Sequence, residues 1–144
     1  MTLAIAYDPE NIFAKIIRGD LPAIKVFEDE DALAFMDIFP QSRGHTLVIP
    51  KKARATNFLD ADPAVLSVLI GKVRRVADGV VKALSPDGVR IMQFNGTPAG
   101  QTVFHLHFHI IPVFENEPVK RHAGEKADME ELKILAGAIR AAIA

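Results

Sequence analysis

Gln101-Thr-Val-Phe-His-Leu-His-Phe-His-Ile-Ile-Pro112 is the stretch on which the fold turns. His105, His107 and His109 alternate in it with apolar residues: Phe104, Leu106, Phe108 and Ile110. Successive side chains of a β-strand point to opposite faces, so an extended run lines three imidazoles along one side. The apolar set then faces a core. Three of the chain's five histidines lie here. Imidazole exchanges its proton near neutral pH, and burying three together is costly unless they are used.

The flanking sequence supplies the rest of a sheet. His45-Thr-Leu-Val-Ile-Pro50, Val89-Arg-Ile-Met-Gln-Phe94, Lys25-Val-Phe-Glu28 and Ala32-Leu-Ala-Phe-Met36 read as further strands. The last two are joined as a hairpin by Asp29-Glu30-Asp31. Asp8 and Pro9 read as the start of a first helix ending at Gly19, and Asp62 and Pro63 as the start of a long second one. That second helix carries an apolar stripe at Leu66, Leu69, Ile70, Val73, Val76, Val80 and Leu84. Asp128 opens a C-terminal amphipathic helix, interrupted only by Gly137. Strands joined by short turns, with helices gathered around them, predict an α+β fold: a five-stranded antiparallel sheet with two or three helices. The expected organisation is one domain over 1–144, with a core at about 9–114 and a helical extension at about 128–142.

Composition bounds the function. With 144 residues, of which 49% are hydrophobic, the chain can bury a core and is not disordered. A net charge of −1 implies no bulk attraction to nucleic acid. The absence of cysteine excludes disulfides and thiolate chemistry. The N-terminal residues show no signal-peptide pattern, and no apolar run approaches the ~20 residues of a membrane span. The expectation is a cytoplasmic protein with neither nucleic acid nor membrane as partner.

Clustered histidines invite a metal reading. On an ideal strand, neighbours in the row stand ~6.6 Å apart and the outer pair ~13 Å, too far for one ion to hold all three. Two of them with His45 could bind one, and that alternative stays open. The loop Asn95-Gly-Thr-Pro-Ala-Gly-Gln-Thr102 offers glycines for close backbone approach and the polar residues Gln101 and Thr102 as donors. An extended phosphate ester suits such a row better than an ion does.

The run His-φ-His-φ-His-φ-φ (φ apolar), preceded by Ala99-Gly-Gln-Thr-Val103, resembles the signature of the histidine triad (HIT) superfamily, in its HIT/Hint branch. Ile12-Phe-Ala-Lys-Ile-Ile-Arg-Gly19, Val26-Phe-Glu-Asp-Glu30, Ala34-Phe-Met-Asp-Ile38 and Gly44-His-Thr-Leu-Val-Ile-Pro-Lys51 match that branch in order and spacing. The likeness covers about residues 11–112. It implies a nucleotidyl hydrolase or transferase acting on nucleoside 5′-phosphoramidates or dinucleoside polyphosphates through a covalent nucleotidyl-histidine. His107 would be the nucleophile, with Nδ1 donating its proton to a backbone carbonyl so that Nε2 is free to attack. His105 and His109 would bond the phosphoryl oxygens or leaving group, His45 would complete the cluster, and Thr102 would take the leaving-group position.

By the same resemblance Asp37 would bind the ribose. Phe13, Ile16, Phe35, Met36 and Ile38 would wall a pocket for a base, a purine being the family's commoner choice, and Asn95, Gly100 and Gln101 would lie near ribose or phosphate. A homodimer joining two sheets is implied, with no cofactor. Many bacterial relatives bind a structural zinc through Cys-x-x-Cys and a histidine where this chain has Asn11-Ile-Phe-Ala14 and Ala53, so none is expected here. An alternative is a nucleotide-sensing module with negligible turnover. On residue type alone Asp37 could equally be a turn acid, and His122, in Lys120-Arg-His122, reads as solvated.

Overall fold

The computed structural model describes residues 2–144. Five strands, β1 (Lys25–Glu28), β2 (Ala32–Met36), β3 (Thr46–Pro50), β4 (Gly88–Met92) and β5 (Phe108–Val113), form one antiparallel sheet in the order β1-β2-β3-β5-β4. Three α-helices accompany it: α1 (Ile12–Arg18), α2 (Pro63–Leu84) and α3 (Met129–Ile143). This is the α+β architecture expected from the strand and helix patterns.

The β1–β2 hairpin is closed by Asp29, whose Oδ1 accepts from the amides of Asp31 and Ala32, both at 2.9 Å. Its Oδ2 meets Lys72 of α2 at 2.6 Å, tying the turn to the helix behind it. Every residue of β2 and β3 is buried, so both faces of the sheet centre are covered. On one face Ala34, Met36, Val48, Phe108 and Ile110 pack against Leu69, Val73 and Val76 of α2 and Leu132 and Ile139 of α3. On the other, Leu33, Phe35, Leu47 and Ile49 pack against Phe13 and Ile16 of the short α1, with Ile17, Ala23 and Val103 at the margin. Seven residues of helix span roughly 10 Å at 1.5 Å per residue. They do not span that whole face, and His107 and His109, themselves buried, line a cavity beside α1.

Several boundaries differ from the sequence reading. The first helix starts a turn late: Asp8 caps a preceding turn by accepting from the Glu10 amide, while Asn11 Oδ1 accepts from Ala14 N as the N-cap. Gly19 ends it in the left-handed region at φ 86°, as its type allows. The third strand begins at Thr46 and the fourth ends at Met92. The third helix passes through Gly137 unbroken.

The larger correction concerns the histidine run, expected to be strand from Thr102. Only residues 108 onward pair in the sheet, so of the three histidines His109 alone sits in a strand. The physical reason is Pro50. Continued two residues, the register Val48↔Phe108 would bring Pro50 opposite Leu106, but Pro50 has no N–H to give the ladder. Leu106 N bonds Ala55 O instead, at 2.9 Å. The approach segment remains non-helical, and Leu106, Phe108 and Ile110 all enter the main core.

Candidate functional site

The three imidazoles still share the side of the sheet that carries α1. Phe13 meets His107 edge-on with centroids 5.0 Å apart, and His105 at 6.2 Å. The His107 and His109 rings are themselves 5.0 Å apart.

Hydrogen bonds fix where each proton sits. His107 Nδ1 lies 2.7 Å from the His105 carbonyl, which can only accept, so Nδ1 carries the proton and Nε2 the lone pair. His105 has both nitrogens occupied: Nε2 donates to Pro50 O at 3.1 Å and Nδ1 accepts from the Tyr7 hydroxyl at 2.9 Å. The Gln41 amide donates to His45 Nδ1 at 3.0 Å, which places the His45 proton on Nε2. That Nε2–H points at His109 Nδ1, 3.0 Å away, and His109 must therefore hold its proton on Nε2. His109 Nε2 is buried and has no partner. One backbone N–H thus orients a two-histidine relay that ends in an unsatisfied donor.

Burial keeps these rings neutral. It lowers His107 to about 4, where the His105 carbonyl opposes the shift, and His45 to about 4 against the pull of Asp37. His109 is pushed down to about 2 by burial and then by His107, His45 and His122. His105 is lowered as well, by burial.

A cavity of about 290 Å³ opens beside them. Phe13, Ile16, Phe35, Met36 and Ile38 line it together with Asp37, Thr102, His107 and His109. It is apolar over most of its wall, with Asp37, Thr102, His107, His109 and His122 as polar lining. Asp37 Oδ1 accepts from the Phe39 amide at 2.8 Å, and Oδ2 lies 3.5 Å from His45 Nε2. The aspartate therefore does serve the turn, and its second oxygen remains beside the histidine relay.

Other sequence candidates fall outside the cavity lining. His45 and His105 stand behind the lining rings. Asn95 Oδ1 accepts from Phe58 N and Gln93 Nε2, both at 3.0 Å, and organises the loop. Gly100, at φ 112°, ends the 3-10 turn Thr97–Ala99. Gln101 is not a ligand donor: its buried side chain accepts from Gly96 N and donates to Thr56 O and Val103 O. Replacing Gln101 by Ala would strand those backbone groups. It is expected to cost about 3 kcal/mol in urea unfolding, and an unchanged midpoint would contradict this role.

Sequence reasoning missed four participants. Tyr7, the Pro50 carbonyl and the Gln41 amide act through contacts that no residue pattern announces. The fourth is His122, which is not solvated as expected but lines the cavity with Ala123, its ring 5.3 Å from that of His109.

Among the described residues, Asp37, His45 and His109 form the one group close enough to share an ion, their ligand atoms lying within 4.8 Å of one another. The relay argues against this, since His45 Nε2 holds the proton that Gln41 forces onto it. His105 likewise has no free lone pair. Among the described residues, no helix is long and apolar enough to cross a membrane.

Fold and site together define an α+β protein with a neutral histidine cluster beside a mostly apolar cavity. The HIT domain family model matches residues 18–116, and the chain belongs to the HIT family. It is 43% identical over 101 residues to adenosine 5′-monophosphoramidase hnt1 of Schizosaccharomyces pombe, covering 70% of this chain and 72% of that protein. It is 37% identical over 118 residues to adenylylsulfatase HINT3 of Arabidopsis thaliana, covering 78% of this chain and 59% of that longer protein. The crystal structure of a Hit-like protein from Bartonella henselae superposes with a TM-score of 0.90 at 49% identity, covering 96% of this chain and 99% of the other.

Proposed function

We propose that the chain hydrolyses nucleoside 5′-phosphoramidates, and related phosphoanhydrides such as dinucleoside polyphosphates, through a nucleotide covalently held on His107. The observation that carries this reading is the His107 tautomer. Its Nδ1–H is committed to the His105 carbonyl, so a neutral Nε2 lone pair is available beside the cavity. In the first step Nε2 attacks the α-phosphorus and the P–N bond breaks, the leaving amine taking a proton from solvent water and the phosphorus passing to His107 Nε2. Water then displaces the histidine and releases the nucleoside monophosphate. Splitting one displacement into two gives each a good nucleophile or leaving group.

The surrounding groups have defined tasks in this scheme. His109 Nε2–H, orphaned in the free protein, is a ready donor to a phosphoryl oxygen. The His45 relay holds that donor in place. Thr102 lies on the leaving-group side, and Asp37 Oδ2 accepts from the ribose hydroxyls. The apolar walls at Phe13, Ile16, Phe35 and Ile38 take the flat base, a purine by preference. His105 works through its backbone, whereas its side chain braces Tyr7 and Pro50. The phosphoramidase and adenylylsulfatase names of two relatives support substrates bearing an adenylyl group. Incubation with adenosine 5′-phosphoramidate tests the proposal: AMP and ammonia should form in the presence of a chelator, and no release of AMP would sink it.

The same proposal includes a homodimer. Strand β4 lies at the sheet edge with one side unpaired, and it exposes Val89 and Ile91, the latter 44% accessible. A second copy adding its own β4 would cover them. Sedimentation equilibrium should give twice the chain mass, and a monomer at micromolar concentration would remove this part.

A further inference from the structure

The segment after β5, a strap over the sheet's end, contributes His122 and Ala123 to the cavity lining, and the scheme above leaves this histidine idle. It is fastened at three places. The Arg43 guanidinium grips Glu117 at 3.1 Å and lies over the Phe114 ring at 3.8 Å. Lys120 N donates to Gln41 O at 2.7 Å while Gln41 Nε2 donates to Lys120 O at 3.1 Å. Ala127 N donates to Ile38 O at 2.9 Å. Between the last two fastenings the chain turns at Ala123, whose φ of 53° is unusual for a residue with a Cβ.

That turn sets His122 into the cavity wall. Its ring stands nearly perpendicular to His109 at 5.3 Å and to Phe94 at 6.0 Å. Both ring nitrogens are buried without a hydrogen-bond partner. Unpaired buried polar groups are expensive, and an imidazole with neither nitrogen satisfied is rare in a finished core. Here it stands next to a second orphan, His109 Nε2–H, on the lining of the same cavity. Two neighbouring rings with unmet donor capacity suit a ligand group with several acceptor oxygens, and a phosphoryl group offers this.

We propose that His122 contacts the substrate, donating a hydrogen bond to a phosphoryl oxygen of the nucleotide that His107 and His109 hold. Through this contact the site selects phosphorylated nucleosides over nucleosides. The proposal rests on the nucleotide reading above and assigns to the strap a direct part in recognition. It also accounts for the pair of hydrogen bonds between Lys120 and Gln41, since one residue then fixes both this segment and the His45 relay.

Calorimetric titration with AMP and with adenosine tests it, using wild type, H122A, H122F and H122N. The Phe variant keeps a ring against His109 and Phe94 but has no N–H, and the Asn variant retains a donor. AMP affinity should fall about tenfold in H122A and H122F, the size of one hydrogen bond to a charged group. Adenosine affinity should stay within about twofold, and H122N should recover part of the AMP loss. Unchanged AMP binding in H122F, or parallel losses of AMP and adenosine in it, would overturn the proposal in favour of simple packing. Wild type binding neither compound would instead bring down the nucleotide reading itself.

Discussion

His107→Ala is expected to reduce kcat/KM for adenosine 5′-phosphoramidate by a factor on the order of 10⁴ to 10⁶. That corresponds to about 5 kcal/mol or more of transition-state stabilisation. The size follows from chemistry rather than contact area: without Nε2 no covalent intermediate forms, and water must attack the α-phosphorus directly. The substitution removes a ring that lines a cavity, so the fold should survive and circular dichroism should match wild type. AMP affinity should change far less than turnover. His109→Ala, which loses one oriented donor, should fall by only about 10² to 10³. His105→Ala keeps the carbonyl that orients His107, so its damage should be read mainly in stability. Comparable turnover in wild type and His107→Ala would refute the mechanism.

The second large effect is on acid stability. His45 and His107 sit at about 4 in the folded chain and His109 at about 2, against roughly 6.5 when unfolded. The unfolded chain therefore binds more protons than the folded one as pH falls below 6.5, and protons pull the equilibrium toward unfolding. The stabilisation from holding these rings neutral is complete above pH 6.5 and is lost as pH falls from there toward 4. For each of the three rings the loss by pH 4 is about 2–3 kcal/mol. Carboxylates lowered by folding, among them Glu28, Asp29 and Asp60, lose their contribution only below their unfolded values near 4. The two windows separate. Urea titrations from pH 7.5 to 4 should show stability falling from about pH 6.5, whereas a flat profile down to pH 4.5 would contradict neutral burial of the cluster.

Much of the fold was legible because local and global signals agree. Asp62 and Pro63 start the long helix where they should, and the Asp29 turn closes the hairpin as its residue types require. The alternation of Leu106, Phe108 and Ile110 marks a core-facing side correctly. It overstated the strand, because alternation reports which way side chains point and not whether the backbone is paired. Pro50, on the partner strand, decides that and lies more than fifty residues away. The cavity residues Phe13, Ile16, Phe35 and Ile38 were named only through family resemblance, since by type alone they are ordinary core. His122 stayed hidden because basic, polar neighbours usually mean solvent. Its burial comes from Gln41, Arg43 and Ile38 holding the strap, three distant contacts without a pattern in sequence. Polar loop residues beside glycines fit a phosphate site, but residue type does not announce that the Gln101 side chain bonds Gly96 N, Thr56 O and Val103 O or that Asn95 Oδ1 accepts from Phe58 N.

Mapping the covalent nucleotide is the most direct test of the central claim. Wild-type protein mixed with adenosine 5′-phosphoramidate, quenched in denaturant at alkaline pH within one turnover and digested, should yield an adenylylated peptide spanning residues 101–112. Fragmentation should place the adenylyl group on His107, and no such peptide should arise from His107→Ala. An adduct on His105, His109 or His122, or steady turnover with no adduct at any quench time, would contradict the account.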